Sequence, residues 1–355
     1  MRIVVAMSGG VDSSVAAALL AESGHDVIGL SMQLYDQTEG QTGFGTCCTI
    51  DDLHDARRVA HRLNIPHYIV NFEQEFQRTV VANFVDEYVA GRTPIPCAHC
   101  NSDLKFATLL DRARAFDADV VATGHYAQVV TDPETGRVRL RRGRDGAKDQ
   151  SYFLFSLTQE QLACASFPVG ALTKDAVREM ARDLGLAVAD KPDSQEICFV
   201  PDGDYASFIE RHQTEGIERE GAIVSESGRP LGRHGGIHRF TVGQRKGLGI
   251  ALAEPMYVLE LRPADRTVVV GPRPQLERTT LSASQVNWIA GAPPAGVCRV
   301  TAQIRHRHQP AAAIVQALDK GRAAVEFDAP QIAITPGQAV VFYDGDVVLG
   351  GGWID

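Results

Sequence analysis

The chain opens with a short, uninterrupted apolar run, Arg2 to Met7, then a small-residue turn, then an alanine- and leucine-rich run, Val15 to Ser23, that stops at Gly24. A brief β-branched run without polar alternation predicts a buried parallel strand. The second run predicts a helix ended by glycine. The pairing recurs downstream. Val27 to Met32 reads as a strand, and Asp51 to Leu63 as a helix with Leu53, Ala56, Val59, Ala60 and Leu63 on one face. Pro66 opens a strand from His67 to Phe72, followed by a helix from Gln74 to Ala90. Asn101 to Phe116 reads as a helix with Asn101 or Ser102 as its N-cap, and Val120 to Thr123 as a strand ending at Gly124 and His125. Strands alternating with helices predict an α/β domain built on a doubly wound parallel sheet. Ligands bind beyond the carboxyl ends of such strands. The turn after the first strand, Met32 and Gly124–His125 are thereby drawn around one crevice.

Asp36 to Thr46 is polar and glycine-rich, a mobile-loop composition. Gln128 to Arg142 carries two alternating segments around Asp132–Gly136, a hairpin. Helices are predicted at Thr158–Ser166, Thr173–Leu184 and Asp204–His212. Beyond that point helical periodicity stops, and short β-rich runs punctuated by glycine and proline take over, at Gly221–Gly271 and again at Thr280–Asp355. The predicted organisation is an α/β domain over 1–212, a small central β domain over 213–275 and a C-terminal β-barrel over 276–355.

The length of 355 residues suits this division, at ~100–200 residues per domain. No apolar run approaches the ~18 residues of a membrane span, and a strand entered by Ile3 leaves no room for a signal peptide, so a cytoplasmic protein is expected. The net charge of −9 does not exclude a nucleic-acid substrate, because binding depends on local patches. Seven cysteines, an odd count without a secretory signal, argue for thiol chemistry, metal or burial over a disulfide framework.

Ser8-Gly9-Gly10-Val11-Asp12-Ser13-Ser14 carries the first chemistry. A strand, a Gly-Gly turn and a helix aim backbone N–H groups at an anion. The serines add donors, and Asp12 could orient the loop or help hold magnesium. The string is neither the Walker loop nor the dinucleotide fingerprint.

Cys97-Ala98-His99-Cys100 has three readings: half of a zinc site, a redox pair, or one nucleophile beside an incidental thiol. Cys100 directly precedes the predicted cap of the Asn101 helix, where the helix dipole favours a thiolate by ~0.3–1 kcal/mol. Pro94 and Pro96 stiffen the approach, and Lys105 adds positive charge. Cys198 lies in the polar stretch Asp193 to Cys198, unlike a core cysteine. Cys164 and Cys298 fit packing positions, and Cys47 and Cys48 close the polar loop.

These motifs stand in order with Gly124-His125-Tyr126, Lys148-Asp149-Gln150-Ser151-Tyr152-Phe153, Ser194-Gln195-Glu196-Ile197-Cys198-Phe199, Phe240-Thr241-Val242-Gly243-Gln244-Arg245 and the Pro336-Gly337-Gln338 segment. The set resembles the tRNA-specific 2-thiouridylases of the PP-loop ATP pyrophosphatase superfamily, over essentially the whole chain. The resemblance implies an adenine nucleotide hydrolase-like fold and ATP-dependent adenylylation of the wobble uridine O2, releasing pyrophosphate. Sulfur would arrive as a persulfide on Cys198, and Cys100, the nucleophile, would pair transiently with Cys198 in a disulfide as 2-thiouridine and AMP form. Ala6, Met7, Ser8, Gly9, Gly10, Val11, Asp12, Ser13, Met32 and Gly124 would line the ATP site. Pro94, Ile95 and Pro96 would approach the target base, and His125, Lys148, Asp149, Gln150, Arg305, His306 and Gln338 would contact tRNA. Implied partners are ATP with Mg2+, tRNAs of the Glu, Gln and Lys type, and a persulfide donor such as a cysteine desulfurase or sulfur-relay protein. Many members carry aspartate where this chain has Cys97, which opens an alternative in which Cys97, Cys100 and Cys198 ligate an iron–sulfur cluster. Rival readings are an amidating PP-loop synthetase and a non-catalytic metal- or redox-sensing module.

Overall fold

The computed structural model describes residues 1–34, 50–193, 197–200, 203–212, 220–250 and 254–355. The polar loop with Cys47 and Cys48, and Ser194–Glu196, lie outside them.

Strand β1 (Arg2–Ala6) leads into helix α1 (Val11–Glu22), β2 (Asp26–Gln33), α2 (Ile50–Arg62) and β3 (His67–Asn71). Two long helices follow, α3 over 73–89 and α4 over 96–114, each widened by a π-helical stretch, Gln77–Val81 and Cys100–Thr108. Then comes β4 (Val120–Ala122). The next strands, β5 (Ala127–Thr131) and β6 (Val138–Arg142), form the predicted hairpin. Helix α5 (Gln159–Ala163) is closed at its start by a capping box between Thr158 and Gln161. It stops short of its predicted end, and β7 (Ala165–Ser166) takes the last residues into the sheet beside β4. Helices α6 (Lys174–Asp183) and α7 (Tyr205–His212) complete this part.

The sheet order is β3-β2-β1-β4-β7, all parallel. Side-chain alternation sorts the strands onto two cores. Ile3, Val5 and Val27 face α1, α2 and α6. Val4, Ile28, Leu30 and Met32 face α3 and α4. That two-sided burial is why the strands read as continuous apolar runs.

The start of α4 differs from the expectation. Pro96, not Asn101 or Ser102, opens the helix, because a missing N–H and a fixed φ suit proline to the first helical position. Asn101 lies inside the helix, donating from Nδ2 to the Phe153 carbonyl at 3.2 Å.

Strands β8 (Gly221–Ser225), β9 (Pro230–His234), β10 (Tyr257–Arg262) and β11 (Thr267–Gly271) make a four-stranded sheet ordered β10-β11-β8-β9. The remaining strands are β12 (Glu277–Trp288), β13 (Val297–Gln303), β14 (Ala311–Leu318), β15 (Arg322–Ile332), β16 (Ala339–Asp344) and β17 (Val347–Ile354). They run β12-β15-β14-β13-β16-β17 and close through β12–β17 pairing into a barrel. The β5–β6 hairpin extends this barrel sheet, with Leu140 and Arg141 paired to β17. In β16, Val340 and Phe342 fill the barrel while Ala339, Val341 and Tyr343 enter the α3–α4 core. Barrel and parallel sheet thus share a wall. Among the described residues no helix is long and apolar enough to cross a membrane.

Candidate functional site

β1 pairs with β2 on one side and β4 on the other, so the chain leaves the sheet at a topological switch point. There Gly10 caps α1 with no side-chain hydrogen bond, leaving first-turn amides directed outward, the arrangement that receives phosphate. The Ser13 hydroxyl accepts from the Ser8 amide at 3.2 Å and lies 3.3 Å from the Ser8 hydroxyl. Gly9 has φ +75°, and a Cβ there would run into the Asp52 carbonyl. At Gly124, a Cβ would meet the Ser13 amide at 2.5 Å. Ala6 ends β1, Met7 and Val11 are buried beside the turn, and Met32 is buried near the end of β2. This cradle of close-approaching glycines and outward amides fits a phosphate group. Gly9→Ala is expected to destabilise the protein by about 1–3 kcal/mol and to raise the ATP KM, read by thermal melting and by AMP formation.

The mouth of the turn is held by a charged network for which the sequence offers no local signal. Lys174 Nζ donates to both Asp12 oxygens at 2.8 Å and lies 2.8 Å from Asp193 Oδ1. The Tyr126 hydroxyl donates to Asp12 Oδ1 at 2.7 Å. Lys148 and Arg178 also reach Asp193, at 2.7 and 3.2 Å. Burial alone would raise the Asp193 carboxyl, but Lys148 and Lys174 outweigh it and hold it at about 2. Lys191 donates to Asp52 and Asp55 at 2.6 Å and to the Gly9 carbonyl at 3.1 Å, bracing the turn from behind. Burial, then the charge of Lys105, keeps His125 well below the usual imidazole range, and so neutral. Its Nδ1 stands 2.7 Å from Thr123 Oγ1.

Residues 148–150 are engaged inward. Asp149 accepts from the Gly143 and Ser151 amides, the Ser151 hydroxyl and Arg142, and Gln150 Oε1 accepts from the Tyr126 amide at 3.0 Å.

The segment Leu109–Arg114 packs along β4, while Lys105 bears on His125 beyond the strand's end. The first turn of α4 therefore projects past the carboxyl edge of the sheet. Cys97 is exposed there and Cys100 is buried. Because the helix starts at Pro96, Cys97 occupies its second position and Cys100 lies a turn further in. The dipole decays within the first turn, so its benefit belongs to Cys97; the expectation that it acts on Cys100 is corrected. Cys100 is part of the α3–α4 core, and Cys198 packs against that same core. The neighbouring Phe199 ring sits among Phe76, Phe84 and Phe208, with centroids 5.5, 5.1 and 5.2 Å away. Among the described residues no three His, Cys, Asp or Glu side chains converge to hold a metal ion, so the geometry lends the cluster reading of Cys97, Cys100 and Cys198 no support.

The Pro94-Ile95-Pro96 loop rests on the barrel. The Thr93 amide donates to the Pro336 carbonyl at 2.8 Å, and Gln338 Nε2 donates to the Thr93 carbonyl at 2.9 Å. The His99 ring stacks on Trp353 at 4.6 Å and 2°. A cleft of about 300 Å³ opens beside this contact, lined by Pro94, Ile95, His99 and Trp353 among others. Arg305 is exposed, donating to the Ile332 carbonyl, and the His306 ring lies tilted at 35° against Phe153, with centroids 4.5 Å apart. Burial keeps His306 below the usual imidazole range.

Three family models match successive parts of the chain: the tRNA methyl transferase HUP domain over residues 1–202, the tRNA methyl transferase PRC-barrel domain over 206–272 and the Aminomethyltransferase beta-barrel domain over 278–354. Among curated relatives, the tRNA-specific 2-thiouridylase MnmA of Geotalea uraniireducens (strain Rf4) is 55% identical over 359 residues, covering 100% of this chain and 95% of its own. That of Solibacter usitatus (strain Ellin6076) is 54% identical over 367 residues, covering 99% of each chain. That of Heliobacterium modesticaldum (strain ATCC 51547 / Ice1) is 50% identical over 353 residues, covering 99% of this chain and 92% of its own.

Proposed function

The chain belongs to the tRNA-specific 2-thiouridylase family, and from that premise we propose that it converts the wobble uridine of Glu-, Gln- and Lys-type tRNAs to 2-thiouridine at the expense of ATP. The family uses ATP and acts on tRNA. The uridine O2 attacks the α-phosphorus, and pyrophosphate leaves. The terminal sulfur of a Cys198 persulfide attacks C2 and AMP departs, leaving sulfur bridging C2 and Cys198. The Cys100 thiolate then attacks the Cys198 sulfur, the bridge breaks, the new sulfur stays on C2, and a Cys100–Cys198 disulfide remains for a thiol reductant to open. A carbonyl oxygen leaves poorly until adenylylated, and thiolates are suited to sulfur handling.

The observation that carries this reading is that Cys100 and Cys198 border one core on a sheet whose central strand ends in a phosphate-receiving turn. The turn from Ser8 to Ser13 binds the polyphosphate, with Ala6, Met7, Met32 and Gly124 completing the ATP site. Magnesium bound with ATP would neutralise phosphate charge, and Asp12, which adjoins the turn and accepts from Lys174 and the Tyr126 hydroxyl, is the residue that would help hold it. Pro94, Ile95 and Pro96 face the extruded base, and a base must leave its stack to be reached. His125, Lys148, Asp149, Gln150, Arg305, His306 and Gln338 form or support the RNA-facing surface. The donor is a persulfide-bearing protein of the cysteine desulfurase or sulfur-relay kind.

The test is incubation with ATP, a persulfide source and unmodified tRNA, followed by nucleoside analysis. 2-Thiouridine is expected, and its absence alongside intact ATP turnover would overturn the reading. Affinity for tRNA is expected to fall at least about tenfold between ~50 and ~200 mM salt, as phosphate contacts require; a flat response in a filter-binding titration would remove tRNA as the substrate.

A further inference from the structure

Lys174 is only 8% exposed, an unusual setting for a cation that lies at the mouth of an anion-binding turn. Its position is fixed at both ends. It opens α6, where Thr173 caps the helix by accepting from the Ala176 amide, and its own amide donates to Asp145 Oδ2 at 2.9 Å. Helix α6 is packed through Val177 and Ala181 onto the core that holds α1. The ammonium meets two carboxylates from distant parts of the chain. Asp12 sits in the first turn of α1, with both oxygens at 2.8 Å from Nζ. Asp193, at 2.8 Å, precedes Cys198 by five residues. Asp12 is further held by the Tyr126 hydroxyl, and Asp193 by Lys148 and Arg178.

Two carboxylates converging on one site repel unless a cation stands between them, and an arriving polyphosphate adds to that repulsion. We propose that Lys174 is a positioning residue for the adenylylation step. It neutralises and orients Asp12 beside the nucleotide turn, and by gripping Asp193 it ties that residue, five positions before Cys198, to the state of the turn. The assignment of Cys198 rests on the thiolation reading above, whereas the part concerning Asp12 does not. Coupling of this kind is reciprocal. Whatever draws the ammonium toward phosphate loosens its hold on Asp193, and an intact Asp193 contact steadies Asp12.

The test uses the full-length protein with Lys174→Met, Lys174→Arg and Asp193→Asn, each checked for folding by near-ultraviolet circular dichroism. Pyrophosphate release over a single turnover, which reports adenylylation, and 2-thiouridine are measured separately. For Lys174→Met, kcat for tRNA-dependent pyrophosphate release is expected to fall about 100-fold, the scale of a misplaced group near the reacting atoms, with ATP KM changed less than about threefold. Lys174→Arg is expected to recover at least about tenfold of that loss. Asp193→Asn is expected to lower sulfur transfer more than pyrophosphate release. Pyrophosphate release by Lys174→Met within about twofold of wild type would overturn the proposal. So would a raised KM at unchanged kcat, which marks direct contact with ATP, or an equal fall of both steps in Asp193→Asn. If Lys174→Met does not fold, Lys174→Gln, which also removes the charge, takes its place under the same expectation and the same overturning results. Wild-type protein that releases pyrophosphate but forms no 2-thiouridine would sink the thiolation reading while leaving the test of Asp12 and Lys174 intact.

Discussion

Cys198→Ser protein is expected to lose 2-thiouridine formation by at least about 10³-fold, the scale on which removal of a covalent participant acts, and AMP release with it, while adenylylation, read as pyrophosphate release over a single turnover, stays near that of the wild type. A serine oxygen cannot carry a persulfide sulfur, so the loss falls on the sulfur-carrying step alone. The local packing tolerates the change. Cys198 is only partly buried and lies at the edge of the core, while the anchoring rings belong to Phe199. Cys100→Ser is expected to give a similar loss of product by a different route. Sulfur still loads onto Cys198 and attacks C2, but the bridge to Cys198 is not opened, so tRNA accumulates in covalent linkage to the protein. Non-reducing gel electrophoresis with labelled tRNA distinguishes the two variants. Retained thiolation in either one would refute its assigned role.

The sheet was legible in the sequence because its central strands β1 and β2 are buried on two faces, and a run such as RIVVAM has few other uses. The phosphate turn was legible because Gly9 adopts a backbone conformation, φ +75°, that only a few residue types tolerate. Three features were not legible. The pairing of the β5–β6 hairpin with β17 joins strands far apart in the chain, and no local pattern names the partner. The true start of α4 was hidden because proline was read as a loop stiffener, although it serves equally well at the first helical position. Lys174, Lys191 and Asp193 sit in segments whose charges look like an ordinary solvated face; only the folded chain brings them to the nucleotide turn. The chemistry-bearing residue types were visible one by one, and their electrostatic setting was not.

That setting decides the outcome expected for Asp12→Ala. The substitution removes the carboxylate that takes Lys174 at 2.8 Å and the Tyr126 hydroxyl at 2.7 Å, beside amides that receive the polyphosphate. Lys174 keeps Asp193, so no isolated buried cation is created, and the fold is expected to survive. The tyrosine hydroxyl loses its acceptor, a penalty of about 1–3 kcal/mol where water cannot reach it. The larger consequence is functional. Without Asp12 the ammonium is free to shift toward Asp193, and the phosphates lose both a fixed neighbour and the carboxylate adjoining their magnesium. AMP and pyrophosphate formation are expected to fall at least about 100-fold, whereas loading of persulfide onto Cys198, which needs no ATP, proceeds at the wild-type rate. Pyrophosphate release measured beside persulfide labelling separates the two activities. Unchanged pyrophosphate release would show that the Ser8–Ser13 turn is not where ATP reacts.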